Sequence, residues 1–323
     1  MEEKNVKVSA YCLVYNHEKV LRTALEGFVN QKVNFEYEVI VHDDASTDGS
    51  RAIIEEYAGR YPHIIKPIYQ KENQYSKRIS IINTIILPRL TGEYIAICEG
   101  DDYWADPEKL QLQADYLDAH PDYAACAHNT TKLNVLTGEE SLMYTSRGDV
   151  DLGFEDVACS GGQSYHTSSL MYRREYAYDR PEFFAKAKTF GDYPLAIFLA
   201  ISGKIRYLDR PMSVYRVWGD GSWTARNMTQ LQKISAHYCY VADMLESVDQ
   251  YTDGAHHQLL EKLIKQNRYI SLEYAERYDQ LRKPPYREIF QSKPVKYRVK
   301  ILLRQYFNKP YHFYRRIMRG EKN

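Results

Sequence analysis

Two clusters of carboxylates draw attention by where they fall in the chain. Asp43-Asp44-Ala45-Ser46-Thr47-Asp48-Gly49 follows the apolar run Tyr37 to His42, and Glu99-Gly100-Asp101-Asp102-Tyr103-Trp104 follows Glu93 to Cys98. Adjacent carboxylates at a strand end repel one another unless a cation neutralises them. Hard oxygen ligands suit Mg2+ or Mn2+, which keep few protein ligands and bridge to phosphate oxygens. A diphosphate leaving group needs such a cation to stabilise its developing charge. The bland reading of the second cluster is a solvated acidic turn. Gly100 is consistent with close backbone approach to a ligand. In the first cluster a carboxylate can accept the N3 proton of uracil or pair with a ribose hydroxyl. The competing reading there is helix capping, for which Asp, Ser and Thr are all suited.

The elements that must position these groups alternate. Val6 to Tyr15 reads as a buried strand, and His17 to Asn30 as a helix with Asn16 as N-cap. Tyr37 to His42, Ile64 to Tyr69 and Glu93 to Cys98 read as further strands, with helices over Ser50 to Tyr61 and Ile79 to Leu90. Nearly all-apolar strands in a βαβαβ rhythm predict an α/β fold with a mainly parallel sheet flanked by helices. Ligands of such sheets bind beyond the carboxyl ends of the strands, where both acidic clusters lie. A helix follows Pro107, and Tyr123 to Ala127, Leu142 to Thr145 and Ser164 to Tyr172 read as shorter strands. Tyr193 to Ile201 is an apolar helix, and Ile205 to Leu208 and Met212 to Val217 are two final strands. After Trp223 the pattern turns helical, with Pro284-Pro285 as a break. These periods place a catalytic domain over 1–225 and a helical region over 226–323.

Together these pieces resemble the family-2 glycosyltransferases, whose fold is the Rossmann-like GT-A fold. Val8-Ser9-Ala10-Tyr11-Cys12-Leu13-Val14-Tyr15-Asn16 matches the frame of that family's first strand. Asp43 to Gly49 stands for its Asp-Asp-Gly-Ser-Thr-Asp-Gly, with Ala45 in the glycine place. Gly92-Glu93-Tyr94-Ile95 followed by Glu99-Gly100-Asp101-Asp102 stands for its Gly-Glu-Tyr-Ile and Asp-x-Asp-Asp metal motif, with Glu99 replacing the first Asp. The resemblance covers about residues 6 to 224. A narrower branch, found among bacterial polysaccharide and lipopolysaccharide enzymes, is similar through Glu72-Asn73-Gln74-Tyr75-Ser76 and Cys98 to Pro107.

The resemblance implies an inverting transfer of sugar from a nucleotide-diphosphate sugar, a UDP-sugar, to a hydroxyl of a glycan or lipid-linked acceptor. It implies a nucleotide-sugar-binding set of Val14, Tyr15, Asn16, Asp43, Asp44, Lys77, Arg78, Glu99, Gly100 and Asp101. Within it, Tyr15 and Asp44 would hold uracil or ribose, and Lys77 or Arg78 the donor phosphate. Asp101 and Asp102 would hold Mn2+ or Mg2+. In Phe190-Gly191-Asp192-Tyr193-Pro194-Leu195, Asp192 would be the catalytic base that deprotonates the acceptor hydroxyl; it is also placed to cap the helix that follows. Many relatives carry His shortly after the Tyr-Arg of the last strand, whereas Tyr215-Arg216-Val217-Trp218 has Trp. Trp104, Trp218 and Trp223 are candidates to stack on an acceptor sugar, with core packing the alternative for each. His166, in Ser164-Tyr165-His166-Thr167-Ser168-Ser169, is a further acceptor-side candidate, with an ordinary loop or core histidine the alternative.

Other classes fit less well. Of 323 residues 44% are hydrophobic, enough for a proper core, and 43 Lys+Arg balance 43 Asp+Glu, unlike a globally basic nucleic-acid binder. A sugar nucleotidyltransferase would carry a glycine-rich basic loop after the first strand, where Tyr15-Asn16-His17-Glu18 stands instead. A non-catalytic sugar-nucleotide or glycan-binding protein would not need Asp44, Asp101, Asp102 and Asp192 together. Cys12, Cys98, Cys126, Cys159 and Cys239 are scattered without a Cys-x-x-Cys pair, which suits a reducing compartment. The N-terminus lacks the pattern of a secretory signal, and no apolar stretch approaches the ~20 residues of a membrane span. The expectation is a cytoplasmic protein. Between 293 and 323, however, ten Lys and Arg face Glu321 alone, interleaved with Tyr297, Tyr306, Phe307, Tyr311, Phe313 and Tyr314. That tail suits peripheral contact with the anionic inner face of the cytoplasmic membrane, or equally a basic helix packing its aromatics on the domain. The C-terminal helices are open to two uses, pairing subunits in an oligomer or covering the sheet.

Overall fold

The computed structural model describes residues 5–188, 190–217 and 230–306. It divides into two compact units. The first runs to Arg180 and resumes at Asp192; the second joins Pro181–Gly191 to the helices after residue 230. The expected boundary at Ala225 lies outside the described residues. The excursion at 181–191 was not foreseen from the sequence.

The first unit contains β1 (Val8–Val14), α1 (Leu21–Val29), β2 (Tyr37–Asp43), α2 (Ser50–Arg60), β3 (Ile65–Tyr69), β4 (Tyr94–Ile97) and β5 (Tyr103–Trp104). It continues with α3 (Lys109–Ala119), β6 (Tyr123–Asn134), β7 (Glu140–Leu142), β8 (Val150–Leu152), α4 (Phe154–Ser160) and β9 (Met171–Arg173). After α5 (Phe183–Lys186), which belongs to the second unit, come α6 (Asp192–Ser202) and β10 (Lys204–Val217). The sheet order is β3-β2-β1-β4-β9-β6-β10-β5, with β7 on β6 and β8 on β10. The strands β3, β2, β1 and β4 are parallel neighbours, and so are β6 and β10. Antiparallel β9 separates β4 from β6, so the sheet is mixed.

Burial explains why β1 is central: six of its seven residues are buried, as both faces are covered. α1 places Leu21, Ala24, Leu25 and Phe28 at helical spacing, and all four are buried. Each larger side chain contributes about 1.5–3 kcal/mol. Gly27 lies on the same helix where it meets β5. A Cβ there would come within 2.5 Å of the Trp104 carbonyl oxygen, so only glycine permits this approach.

Several local expectations differ from the structure. Asn16 has φ +58° and does not cap α1, which begins after Val20. Ile79 to Leu90 forms a π-helical turn at Ile82–Ile86 and a 3-10 turn at Leu87–Arg89, because Pro88 cannot extend a regular helix. Ser164 to Tyr172 is strand only at β9. Before it, His166 Nδ1 accepts the Ser168 N–H (3.3 Å) and Ser169 Oγ donates to the His166 carbonyl (2.6 Å), winding Thr167–Ser169 into a 3-10 turn. The two final strands are one, β10, whose register slips around Pro211.

The second unit comprises α5, α7 (Leu231–Tyr251), α8 (His257–Tyr274), α9 (Arg287–Ser292) and α10 (Val295–Tyr306). α7 and α8 pair, and Tyr269, Tyr278, Leu281, Phe290 and Ile301 form a small core of their own. No helix among the described residues is long and apolar enough to cross a membrane.

Candidate active site

At the carboxyl ends of β1 and β2, two loops are zipped together by reciprocal hydrogen bonds. The Asp44 N–H donates to the Val14 carbonyl (2.9 Å), continuing the β1–β2 ladder by one rung. Asn16 donates its N–H to Ser46 Oγ (3.0 Å) and accepts the Thr47 N–H on Oδ1 (2.8 Å). Glu18 does the same one turn further on, donating to Asp48 Oδ2 and accepting from the Gly49 N–H, both at 3.0 Å. Asn16 thus serves the Asp43–Gly49 turn instead of α1. Ala45, in the family's glycine place, sits at φ +60°.

Asp43 and Asp44 are both buried. Asp43 Oδ1 accepts the Ser46 N–H at 3.2 Å. Asp44 reaches the following loop, its two oxygens accepting the N–H groups of Gln74 (2.7 Å) and Tyr75 (3.0 Å), while Asn73 Nδ2 donates to its carbonyl. The carboxylate expected to read a nucleoside therefore also pins the 73–75 loop. Tyr15 and Tyr75 are left exposed on the two joined loops. Lys77 is paired with Glu72, and Arg78 follows at φ +60° on the exposed surface.

The acidic loop leaves β4 and is held from both sides. On one side Gly100 N–H donates to the Leu13 carbonyl at 3.0 Å. A Cβ at Gly100 would meet that oxygen at 3.1 Å, Val14 Cγ2 at 3.0 Å and His17 Nδ1 at 2.8 Å. The close approach that Gly100 permits is thus to β1 and the loop after it. On the other side Arg216 of β10 donates its main-chain N–H to Asp102 Oδ1 (2.9 Å) and Nη1 to the Asp101 carbonyl (2.7 Å). Its guanidinium lies over the Tyr103 ring, 4.6 Å from the centroid.

Asp102 is 3% exposed. Burial, and then the charge of Asp101, push its carboxyl well above the ordinary range against the Arg216 hydrogen bond. Asp101 Oδ1 is buried without a hydrogen-bond partner among the described residues. A neighbouring pair of carboxylates with an unsatisfied buried oxygen is a donor set that fits a hard divalent cation. Among the described residues, no three His, Cys, Asp or Glu side chains converge on one point as a ready cation cage.

The 164–169 segment joins this loop to Asp192. His166 Nε2 lies 3.8 Å from Asp102 Oδ2, and its ring stacks on Tyr215 at 4.2 Å. Its neighbours Tyr165 and Thr167 line a small cavity with Gly162, Ser164 and Asp192. Asp192 is the first residue of α6, its Oδ1 accepting the Tyr193 N–H at 2.9 Å. Its side chain keeps contact with solvent, yet the protein around it pushes the carboxyl above its ordinary value of 3.8.

One candidate changes character. Trp104 is 2% exposed, with its indole N–H on the Ser168 carbonyl (3.0 Å), Phe28 at its edge and Lys109 Nζ 4.3 Å over its ring. It has no face to offer a sugar and is a packing residue. Trp218 and Trp223 lie outside the described residues. Conversely, Arg216 went unassigned in the sequence, where Tyr215-Arg216 served only to mark an absent histidine. Its clamp on Asp101 and Asp102 depends on β10 returning beside β5, a pairing no local pattern encodes.

Comparison with known proteins bears on the family and the fold. A family model described as glycosyl transferase family 2 matches residues 9–178. The uncharacterized protein Rv1520 of Mycobacterium tuberculosis is 37% identical over 218 residues, which is 67% of this chain and 60% of that protein's length. The abequosyltransferase RfbV of Salmonella typhimurium is 24% identical over 233 residues, 64% of this chain and 66% of that protein. Among solved structures, S. aureus TarS 1–349 in complex with UDP-GlcNAc superposes with a TM-score of 0.57 at 17% identity, covering 90% of this chain and 77% of that one. The mannosyltransferase PcManGT from Pyrobaculum calidifontis, in complex with GDP-Man and Mn2+, gives 0.51 at 14% identity, covering 95% and 89%. With the acidic loop and its flanking strands inside the matched region, the chain belongs to glycosyl transferase family 2 and has that family's α/β fold.

Proposed function

We propose that this chain is an inverting glycosyltransferase that moves a sugar from a nucleotide-diphosphate sugar, a UDP-sugar, to a hydroxyl of a glycan or lipid-linked acceptor in bacterial cell-surface polysaccharide synthesis. The observation that carries this reading is the acidic loop, which sets Asp101 and buried Asp102 beyond the carboxyl ends of β1 and β4. Tyr15, Asn16, Asp43 and Asp44 occupy the neighbouring loop cluster, where a uridine would lie, with Val14 contributing backbone. Exposed Tyr75 is added to that set by its bond to Asp44. Lys77 and Arg78 stand on the same loop, suited to the diphosphate.

Asp101 and Asp102 would hold Mn2+ or Mg2+, and the ion when bound would neutralise charge on the departing diphosphate. Asp192 takes the proton from the acceptor hydroxyl. The hydroxyl oxygen then bonds to the anomeric carbon from the face opposite the leaving group as the sugar–phosphate bond breaks, inverting that centre. A base whose carboxyl is raised above the ordinary range holds a proton more readily, which suits this task. Glu99 and Gly100 complete the turn that presents the pair.

The test is donor turnover over UDP-, GDP- and dTDP-sugars with Mn2+, Mg2+ or EDTA, comparing wild type with Asp102→Ala. Metal-dependent release of one nucleotide, lost in the variant, is the expected result. Turnover unaffected by both EDTA and Asp102→Ala would overturn the assignment of the loop.

A further inference from the structure

The last described helix, α10, is fixed in rotation by its packing. Ile301 is fully buried in the cluster with Tyr269, Tyr278, Leu281 and Phe290, and Tyr297 packs against the same cluster. The Tyr297 hydroxyl also donates to Glu273 Oε2 at 2.6 Å, tying α10 to α8. At about 100° per residue, Ile301 and Tyr297 mark the inner face. Val295, Val299, Leu303 and Tyr306 fall within an arc of about 80° on the opposite side. These four are 64%, 46%, 52% and 67% exposed.

The stripe has a charged margin. Lys296 and Lys300 are exposed along one edge, and Arg298 lies towards the other. α10 carries four Lys and Arg and no carboxylate, and the sequence beyond it adds Lys309, Arg315, Arg316, Arg319 and Lys322 against Glu321. An apolar stripe bordered by cations matches the boundary between anionic headgroups and acyl chains. Each cation near such a surface strengthens the attraction. A second copy of the chain is a poorer occupant, since two-fold pairing of the stripe would set a lysine margin against lysines or against Arg298.

We propose that α10 docks this protein on an anionic lipid surface. Val295, Val299, Leu303 and Tyr306 enter the headgroup boundary, while Lys296 and Lys300 meet lipid phosphates. The proposal stands without the donor reading; only its use, bringing the site to a lipid-linked acceptor, rests on that reading.

The test is sedimentation of the full chain with vesicles of phosphatidylglycerol and phosphatidylcholine, beside vesicles of phosphatidylcholine alone. Wild type should bind the anionic vesicles only, and less at high salt. Val299→Asp/Leu303→Asp should reduce the bound fraction at least tenfold, and Lys296→Gln/Lys300→Gln several-fold. Thermal melts check that each variant is folded, and the lysine pair decides should the aspartate pair misfold. Wild type left in the supernatant, or binding equal to that of a folded variant, would overturn the proposal. So would a wild-type dimer that Leu303→Asp splits, which would make the stripe a subunit interface. Because no donor is present, failure here is distinct from failure of the transferase assignment.

Discussion

His166 presents Nε2 to Asp102 Oδ2 across 3.8 Å, too far for a hydrogen bond and with water largely excluded from both groups. Burial pushes the imidazole down to about 4, so the ring is neutral at physiological pH and the contact is not an ion pair. Nδ1 is engaged by Ser168, 2.8 Å from its Oγ and 3.3 Å from its main-chain N, and Nε2 is the ring nitrogen that faces the carboxylate. The pair is one short movement from closing. His166, an acceptor-side candidate in the sequence, lies beside Asp102, a proposed metal ligand.

If closing that gap orients Asp102, His166→Ala should weaken Mn2+ binding about tenfold, as loss of a supporting partner to a metal ligand does. Calorimetric titration with Mn2+ measures this directly. Unchanged affinity would assign His166 to its stack on Tyr215 alone.

Asp192→Asn should lower kcat by about 10^2- to 10^4-fold with little change in donor affinity, since the residue is assigned to proton transfer. The base works ionised and its carboxyl is raised. Activity should therefore fall, as pH drops, at a higher pH than an ordinary aspartate would give. A kcat/KM profile with its acid limb near 3.8, or an active Asn variant, would remove Asp192 from this role.

Lys109 is wholly buried, its Nζ donating to Gln113 Oε1 at 2.7 Å, and burial holds its ammonium down to about 7 from 10.5. Above pH 10.5 native and unfolded chains are both neutral there. As pH falls towards 7 the unfolded chain takes up a proton that the native one refuses, so stability is lost across that window and levels off below it. Lys109→Met should flatten this dependence, by up to about 1.4 kcal/mol per pH unit. Urea unfolding from pH 7 to 10 compares the two slopes, and parallel slopes would exclude the effect.

Ala45→Gly should stabilise the fold. A non-glycine residue at φ +60° costs about 1–2 kcal/mol, partly offset by the extra freedom glycine has when unfolded. A Tm rise of about 1–3 °C is expected. A lower Tm would mean that the Ala45 methyl contributes packing that outweighs the strain.

Much of this was legible in the sequence wherever a signal is local. The apolar runs of β1, β2 and β4 and the helical spacing of Leu21, Ala24, Leu25 and Phe28 lie within single elements, and the acidic clusters fall at their ends. The illegible parts are long-range. The clamp of Arg216 on Asp102 joins residues 114 positions apart. Trp104 stayed open between sugar stacking and packing because its burial depends on α1 and on Ser168, neither of which neighbours it in sequence. Asn16 read as a cap because the residues it bonds lie on the following loop.

The order of strands has a further consequence. β4 and β5 stand four steps apart in the sheet, with β9, β6 and β10 between them. Laid flat at about 4.8 Å per step, they would be about 19 Å apart. Only residues 98–102 join them, a tether that reaches about 20 Å if drawn straight. This one is not straight, since the Asp102 N–H turns back to the Glu99 carbonyl at 3.1 Å. The sheet must therefore bend to let β5 reach its seat against α1. The acidic loop is in this sense a short tether between β4 and β5, compatible only with a curved sheet. An inserted residue would lengthen that tether and shift Asp101 and Asp102 out of register with the Leu13 carbonyl and Arg216 that hold the loop.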